Sequence, residues 1–191
     1  MIIKGKKVEL VPVELRDKEN VYQWCFHSET TKSHSGVPDY PNVPIMTREE
    51  FFDGYHYKEY YFTGSQPQKG RGFLILYNGE SVGFISYSCF HLKKGRAELD
   101  IWLNCEAHCG KGFGTDAVVA FGEHLNKTLN IRELIMRPSV KNARANKSYE
   151  KAGFKKSDKN PSEYLLKKYI SVYGDGDYGA DESALLIKTF I

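Results

Sequence analysis

Apolar and polar residues alternate through KKVELVPV at 6–13, and that period of two predicts a strand. LRDKENVYQWCF follows with Val21, Trp24 and Cys25 on one helical face, so a helix is predicted there. Residues 28–46 contain Gly36, Pro38, Pro41 and Pro44 and read as a loop. Thr47 and Glu50 then make the Thr-x-x-Glu pattern of a capping box, opening a helix through the aromatic stretch to about Tyr61. Beyond the loop GSQPQKGRG, the apolar runs FLILY and SVGFISYSCF flank Asn78-Gly79, the strongest short hairpin signal. A second turn at LKKGR, 92–96, leads into AELDIWLN. Three successive strands therefore form an antiparallel meander.

The pattern then changes period. Ala117, Phe121, Leu125 and Leu129 recur every fourth residue, one helical stripe facing a core. IRELIMRP reads as a strand ended by Pro138. NARANKSYEKAGF reads as a helix with Asn142 as N-cap and Gly153 as its stop. NPSEYLLKKYI carries helix-start residues at Asn160, Pro161 and Glu163, and SALLIKTF closes the chain as a strand after a Gly/Asp-rich loop. Strands and helices interleave without repeats or a linker, so the expectation is one α/β domain over 1–191, with a core at about 8–155 and 156–191 completing the sheet.

Composition changes this picture little. The 191 residues are 41% apolar and 27% charged, ordinary for a globular protein. No apolar run has the length of a membrane span, and the lysine-rich start has no signal-peptide core, so no membrane partner is expected. Cys25, Cys89, Cys105 and Cys109 read as free thiols of a reducing compartment, which makes the expected location cytoplasmic. A net charge of +3, from 27 basic and 24 acidic residues, gives no footprint of a nucleic-acid partner. The cysteines and histidines lack a Cys-x-x-Cys pair, and DGDYGADE lacks the Gly and Glu of a calcium loop, so no metal is expected.

The chemistry is concentrated at HCGKGFGTDAVVAFGEHL, where Gly110, Gly112 and Gly114 precede the apolar-striped helix. Successive amides of a glycine-rich turn at a helix N-terminus form a concave anion site. The mononucleotide P-loop fails, because Lys111 is followed by Gly112 rather than Ser or Thr. The dinucleotide fingerprint fails too, since the spacing is G-x-G-x-G and the preceding strand ends an antiparallel meander.

GKGFGT at 110–115 resembles the acyl-CoA pyrophosphate loop of the GCN5-related N-acetyltransferase (GNAT) superfamily, written Q/R-x-x-G-x-G/A. NARANKSYEKAGF at 142–154 is similar to that superfamily's second signature, in the same order and spacing. The stretch 138–154 also resembles bacterial aminoglycoside 6'-N-acetyltransferases. The resemblance covers roughly residues 8–155. It implies a mixed, mostly antiparallel twisted sheet with helices on both faces, and strands splayed on either side of the coenzyme loop. Acetyl-CoA is the implied co-substrate. Gly110, Lys111, Gly112, Phe113, Gly114 and Thr115 are its implied pyrophosphate contacts, with His108 and Cys109 just ahead of them. Cys109 stands at the Q/R position itself, and Lys111 is available as a substitute cation. Ile101, Trp102 and Leu103 on the preceding strand, and Asn142, Ala145 and Tyr149 on the later helix, complete the implied coenzyme site.

An acetyltransferase must also deprotonate an ammonium and reprotonate a thiolate. On AELDIWLN, Leu99, Ile101 and Leu103 share one face and Glu98, Asp100 and Trp102 the other. Asp100, with Glu98, is the expected base. The alternative for either is an exposed or ion-paired carboxylate. Tyr149 is the expected partner of the leaving sulfur, against the alternative of a core tyrosine. The resemblance points to a small-molecule amine acceptor, an aminoglycoside first, with a protein N-terminus or a polyamine competing. A non-catalytic acyl-CoA-binding module and a purely structural domain are the rival readings, and the oligomeric state is left open.

Overall fold

The computed structural model describes residues 1–34, 45–53 and 58–191, with the side chains of residues 33 and 34 left aside. Its centre is the meander. β1 (Ile3–Lys4) pairs with β2 (Glu9–Pro12), and a 3-10 turn at Leu15–Asp17 opens α1 (Lys18–Phe26). Short helices follow: α2 (Thr31–His34), α3 (Arg48–Asp53) and α4 (Tyr60–Thr63). β3 (Gly70–Tyr77) and β4 (Glu80–Ser88) make the hairpin expected from Asn78-Gly79. Both turn residues have positive φ, 51° and 82°, the geometry that matches the right-handed twist of paired strands. β5 (Arg96–Leu103) completes the meander against β4.

After β5 the chain passes through α5 (Phe113–Leu129) to β6 (Glu133–Met136), then α6 (Ala143–Lys151), β7 (Lys155–Lys156), α7 (Pro161–Tyr164), α8 (Ile170–Tyr173) and β8 (Leu186–Thr189). The described strands form one eight-stranded sheet in the order β1-β2-β3-β4-β5-β6-β8-β7. Only β5 and β6 run parallel among them.

That parallel pair sets up the site. β5 and β6 are in register only from Arg96–Glu133 to Glu98–Ile135. Beyond Glu98, β5 continues to Leu103 paired with β4 alone, while β6 ends at Met136 and leaves through Pro138. The two strands splay, as expected, and a V-shaped opening lies between them.

Both sheet faces are covered. The predicted stripe of α5 delivers Ala117, Phe121 and Leu125 to a core with Leu10, Phe73, Ile85, Leu99 and Leu134, and Leu129 packs at its edge. Burying a side chain such as Phe121 stabilises the fold by about 1.5–3 kcal/mol. On the opposite face Val13, Val21, Phe51, Phe62, Phe84 and Trp102 form a second core. The alternation read from β5 therefore holds, with Leu99 and Trp102 in different cores.

Three predicted elements differ in extent. The capping box forms, with the Glu50 amide donating to Thr47 Oγ1 at 3.2 Å and the Thr47 amide to Glu50 Oε2 at 2.8 Å. The helix it opens is described over Arg48–Asp53, and Lys58 and Glu59 are not helical, so the aromatic stretch does not run as one helix to Tyr61 and α4 starts afresh at Tyr60. Residues 54–57 lie outside the described residues, as do 35–44 of the predicted loop, within whose start Thr31–His34 forms a helical turn. The helix predicted from Asn160 also divides. Its own capping box starts α7, and the Leu165 amide still closes the last helical turn by donating to Pro161, but Leu165 and Leu166 are extended and end the helix there.

Candidate active site

Gly110 and Gly112 have φ of 75° and 83°, in the left-handed region that an L side chain reaches only with strain. Gly112 is the N-cap of α5 and offers no side chain to its first turn. The amides of Phe113, Gly114 and Thr115 have no partner within the helix, and the helix dipole adds to their positive potential. Among the described residues, no side chain caps the start of this seventeen-residue helix.

Cations gather around this turn from elsewhere in the chain. Asp116 accepts the amides of Lys6, Lys7 and Val8 at 3.0, 2.6 and 3.0 Å, pinning the β1–β2 turn against α5. Lys7 is then placed so that its Nζ donates to the carbonyl of Lys111 at 2.8 Å. From α6, Arg144 reaches Glu106 with both terminal nitrogens, at 2.5 and 3.1 Å, and stands close enough to Cys109 to lower its thiol pKa. Burial outweighs that effect, so the thiol is pushed up and is not activated as a nucleophile. Lys147 and Lys151 line the same opening.

The opening is a cleft of about 1690 Å³ lined both by the start of α5 and, across the splayed strands, by Cys25, Tyr60 and Tyr61. Cys109, Gly110, Gly112, Phe113, Gly114 and Thr115 line it at one end. Ile101, Trp102 and Leu103 of β5 line its wall, as do Asn142, Ala145 and Tyr149 opposite. Asn142 Oδ1 caps α6 by accepting the Ala145 amide at 3.0 Å, the role read from its position. Two expected coenzyme contacts lie off the wall. His108 is turned back to β5, with Nδ1 2.7 Å from Asn104 Oδ1 and 3.2 Å from Cys105 Sγ. Lys111 is exposed, and it is Lys7, which the sequence motifs do not mark, that stands against Gly112.

At the far end Asp100 projects from β5, in register with Ser86 of β4. Its charge raises the pKa of four groups from four other elements: Cys25 of α1, Tyr61 of α4, Tyr149 of α6 and Tyr178 of the loop before β8. Burial is the larger cause in each case, and Asp100 adds to it. Tyr61 is fixed by a 2.6 Å hydrogen bond between its hydroxyl and Ser88 Oγ. The structure therefore brings Asp100 and Tyr149 together and adds Tyr61 and Tyr178, which no sequence motif marks.

Glu98 has different surroundings. Arg137 donates Nε and Nη2 to its two oxygens at 2.6 and 3.0 Å, and His91 Nε2 lies 2.6 Å from Oε2. Burial would raise this carboxyl, but the Arg137 charge and the His91 and Arg137 hydrogen bonds overcome it and hold the pKa at about 2. The ion-paired alternative describes Glu98, and a carboxylate so stabilised has little affinity for a substrate proton. Among the described residues, no group of three or more His, Cys, Asp or Glu side chains is gathered in a metal-binding arrangement, and no helix is long and apolar enough to cross a membrane.

Comparison with curated proteins finds no significant sequence match. Solved structures do match. Aminoglycoside acetyltransferase AAC(6')-Ib, in complex with paromomycin and acetyl-CoA, superposes with a TM-score of 0.68 at 20% identity, covering 96% of this chain and 94% of that one. RimL, a ribosomal L7/L12 alpha-N-protein acetyltransferase bound to coenzyme A, has a TM-score of 0.68 at 19% identity, with 100% and 98% covered. An acetyltransferase from Salmonella typhimurium that modifies the N-terminal serine of L7/L12 has a TM-score of 0.69 at 17% identity, with both chains fully covered. These likenesses agree on the fold. The family model described as "Acetyltransferase (GNAT) domain" matches residues 7–155, nearly the span over which the sequence motifs and the splayed strands fall. The chain belongs to the GNAT acetyltransferase family.

Proposed function

We propose that this protein transfers the acetyl group of acetyl-CoA directly to a primary amine, with both substrates bound in the one cleft. One observation carries the reading: the N-terminal turn of α5, which no described side chain caps, and Asp100 of β5 line one continuous opening. The pyrophosphate fits the turn at Gly110–Gly114, where backbone donors, Lys7 and the cationic face of α6 meet it. Gly110 and Gly112 leave the loop free of side chains where the anion approaches. The pantetheine arm lies along Ile101, Trp102 and Leu103, whose strand is unpaired on that side and offers a backbone amide to the thioester carbonyl.

Asp100 accepts a proton from the ammonium, directly or through water. The amine nitrogen then bonds to the carbonyl carbon, the C–S bond breaks, the Tyr149 hydroxyl donates to the departing sulfur, and the second proton shed by the nitrogen restores that hydroxyl. Burial and the nearby Asp100 charge raise the Tyr149 pKa, so the phenol keeps its proton for that role. Much of the acceleration comes from holding two reactants in line. Glu98 takes no proton in this scheme.

For the acceptor, the leading reading is an aminoglycoside. Asp100 and Asp177 at that end suit a polycation, and the fold is that of AAC(6')-Ib, solved with paromomycin, kanamycin and ribostamycin. The second reading is a protein N-terminus followed by acidic residues, supported by Lys58 and Lys69 on the same wall. Thiol release from acetyl-CoA is the test, with kanamycin set against a short peptide of acidic second and third residues. Specificity for either substrate selects that reading. No release with any amine, despite measurable coenzyme binding by calorimetry, leaves a binding module instead.

A further inference from the structure

The buried ion pair at the root of the splay also fixes a distant loop. The Arg137 side chain is 6% exposed, and besides its two bonds to Glu98 it donates Nη1 to the carbonyl of Tyr173, the last residue of α8. His91, beside the same carboxylate, packs its ring against that of Tyr173 with 5.0 Å between centroids. A planar guanidinium divided between a carboxylate and a main-chain carbonyl sets an orientation that a lysine cannot reproduce.

Tyr173 is one anchor of the loop that runs to β8. The other anchor is the chain just beyond β6: the Val140 amide donates to Glu182 and the Ala184 amide to Pro138, both at 2.8 Å, and Ser183 bridges Ser139. Between the anchors the loop folds on itself. The Gly176 amide donates to Tyr173 at 3.2 Å, and the Tyr178 amide donates to Ser183 Oγ at 3.2 Å. Gly176 has φ of 71°, and a Cβ there would lie 2.4 Å from Ser183 Oγ, so the turn closes only around a glycine. Tyr178 is carried by this turn into the wall of the cleft, within electrostatic reach of Asp100 and Tyr149.

We propose that Tyr178 is an acceptor-binding phenol of the transfer site, and that Arg137 is the positioning residue that holds it there through Tyr173. The inference rests on the acetyltransferase reading above. The phenol oxygen accepts one N–H of the acceptor ammonium, while Asp100 takes the proton that is lost. Nothing is consumed at Tyr178, so its contribution appears in acceptor binding rather than in the departure of the thiol.

The test uses the full chain with the best amine from the acceptor panel. Tyr178→Phe removes only the hydroxyl. The expected result is an acceptor KM about tenfold higher, the worth of one hydrogen bond to a charged group, with the KM for acetyl-CoA and the melting temperature unchanged. Arg137→Lys keeps the charge but gives up the fork. It is expected to raise the acceptor KM similarly, and to add little when Tyr178 is already Phe, because the two act on one contact. A Tyr178→Phe enzyme within twofold of wild type in acceptor KM overturns the proposal. So does full additivity of the two variants. A wild-type chain that transfers to no amine overturns the acetyltransferase reading itself, a result distinct from either.

Discussion

The amide of Lys7 donates to the Asp116 carboxylate at 2.6 Å, and beside that contact the Lys7 ammonium reaches the Lys111 carbonyl in the turn proposed for the coenzyme pyrophosphate. Asp116 belongs to the first turn of α5, where a negative charge also suits the helix dipole. Two separable effects follow. Lys7→Met is expected to weaken coenzyme A binding about tenfold by calorimetry, the loss of one cation near a phosphate, with stability almost unchanged. Asp116→Ala removes the common acceptor of three amides, so it is expected to lower unfolding free energy by about 2–3 kcal/mol as well as weaken coenzyme binding. Lys7→Met binding coenzyme A as tightly as wild type contradicts the assigned contact.

Gly110 and Gly112 are both left-handed, but their surroundings differ. A Cβ at Gly110 meets nothing within 4 Å, whereas one at Gly112 stands 3.3 Å from Lys7 Nζ. Gly110→Ala is therefore expected to cost about 1–2 kcal/mol through backbone strain alone. Gly112→Ala carries the same strain and also displaces Lys7 from the turn. The expected difference lies in coenzyme affinity, with Gly112→Ala the weaker binder. Equal affinities for the two variants would remove Lys7 from the site.

The features legible in the sequence are those that neighbouring residues decide among themselves. Asn78-Gly79 selects its own turn, Thr47 and Glu50 cap their own helix, and the α5 stripe lists its own core contacts. The glycine turn and Asn142 are local in the same sense. Features set by distant partners were not legible. β8 slips between β6 and β7, and a two-residue strand such as Lys155–Lys156 has no period to detect. The Lys7 amide is held by Asp116, 109 residues away, and the Tyr178 amide by Ser183. Glu98 and Asp100 share a strand face, and the ion pairing of Glu98 comes from His91 and Arg137, which the strand pattern does not announce.

Glu98 gives the clearest pH dependence. Its carboxyl is held at about 2, below the ordinary 4.5, because Arg137 and His91 outweigh its burial. A group with a depressed folded-state pKa stabilises the protein above its unfolded value and loses that contribution as pH falls through the folded value. The window is therefore about pH 4.5 to 2, and the contribution is on the order of 3 kcal/mol. Urea unfolding is expected to show stability declining through that window. Glu98→Gln should flatten that decline, and at neutral pH it should cost roughly 3–5 kcal/mol by leaving the Arg137 charge buried without its partner. A variant as stable as wild type at pH 7 would place the ion pair outside the structural core.

In the proposed transfer Tyr149 and Asp100 act on different bonds, and the acyl donor separates them. If Tyr149 donates to the departing sulfur, Tyr149→Phe is costly with acetyl-CoA, about 100-fold in kcat, the lower end of what a positioned acid contributes. The penalty should shrink with a thioester whose thiolate is a weaker base, because that sulfur needs less help. Asp100→Asn affects the amine instead, so its loss should persist whichever thiol departs, and should ease at high pH as more of the acceptor is already deprotonated. The Tyr149 pKa is raised by burial and by Asp100, so in wild type the phenol stays protonated past its ordinary value of 10 and adds no falling limb to the rate profile below it. A Tyr149→Phe penalty identical for both thioesters would assign that side chain to packing, and leave the thiolate to depart without a proton from α6.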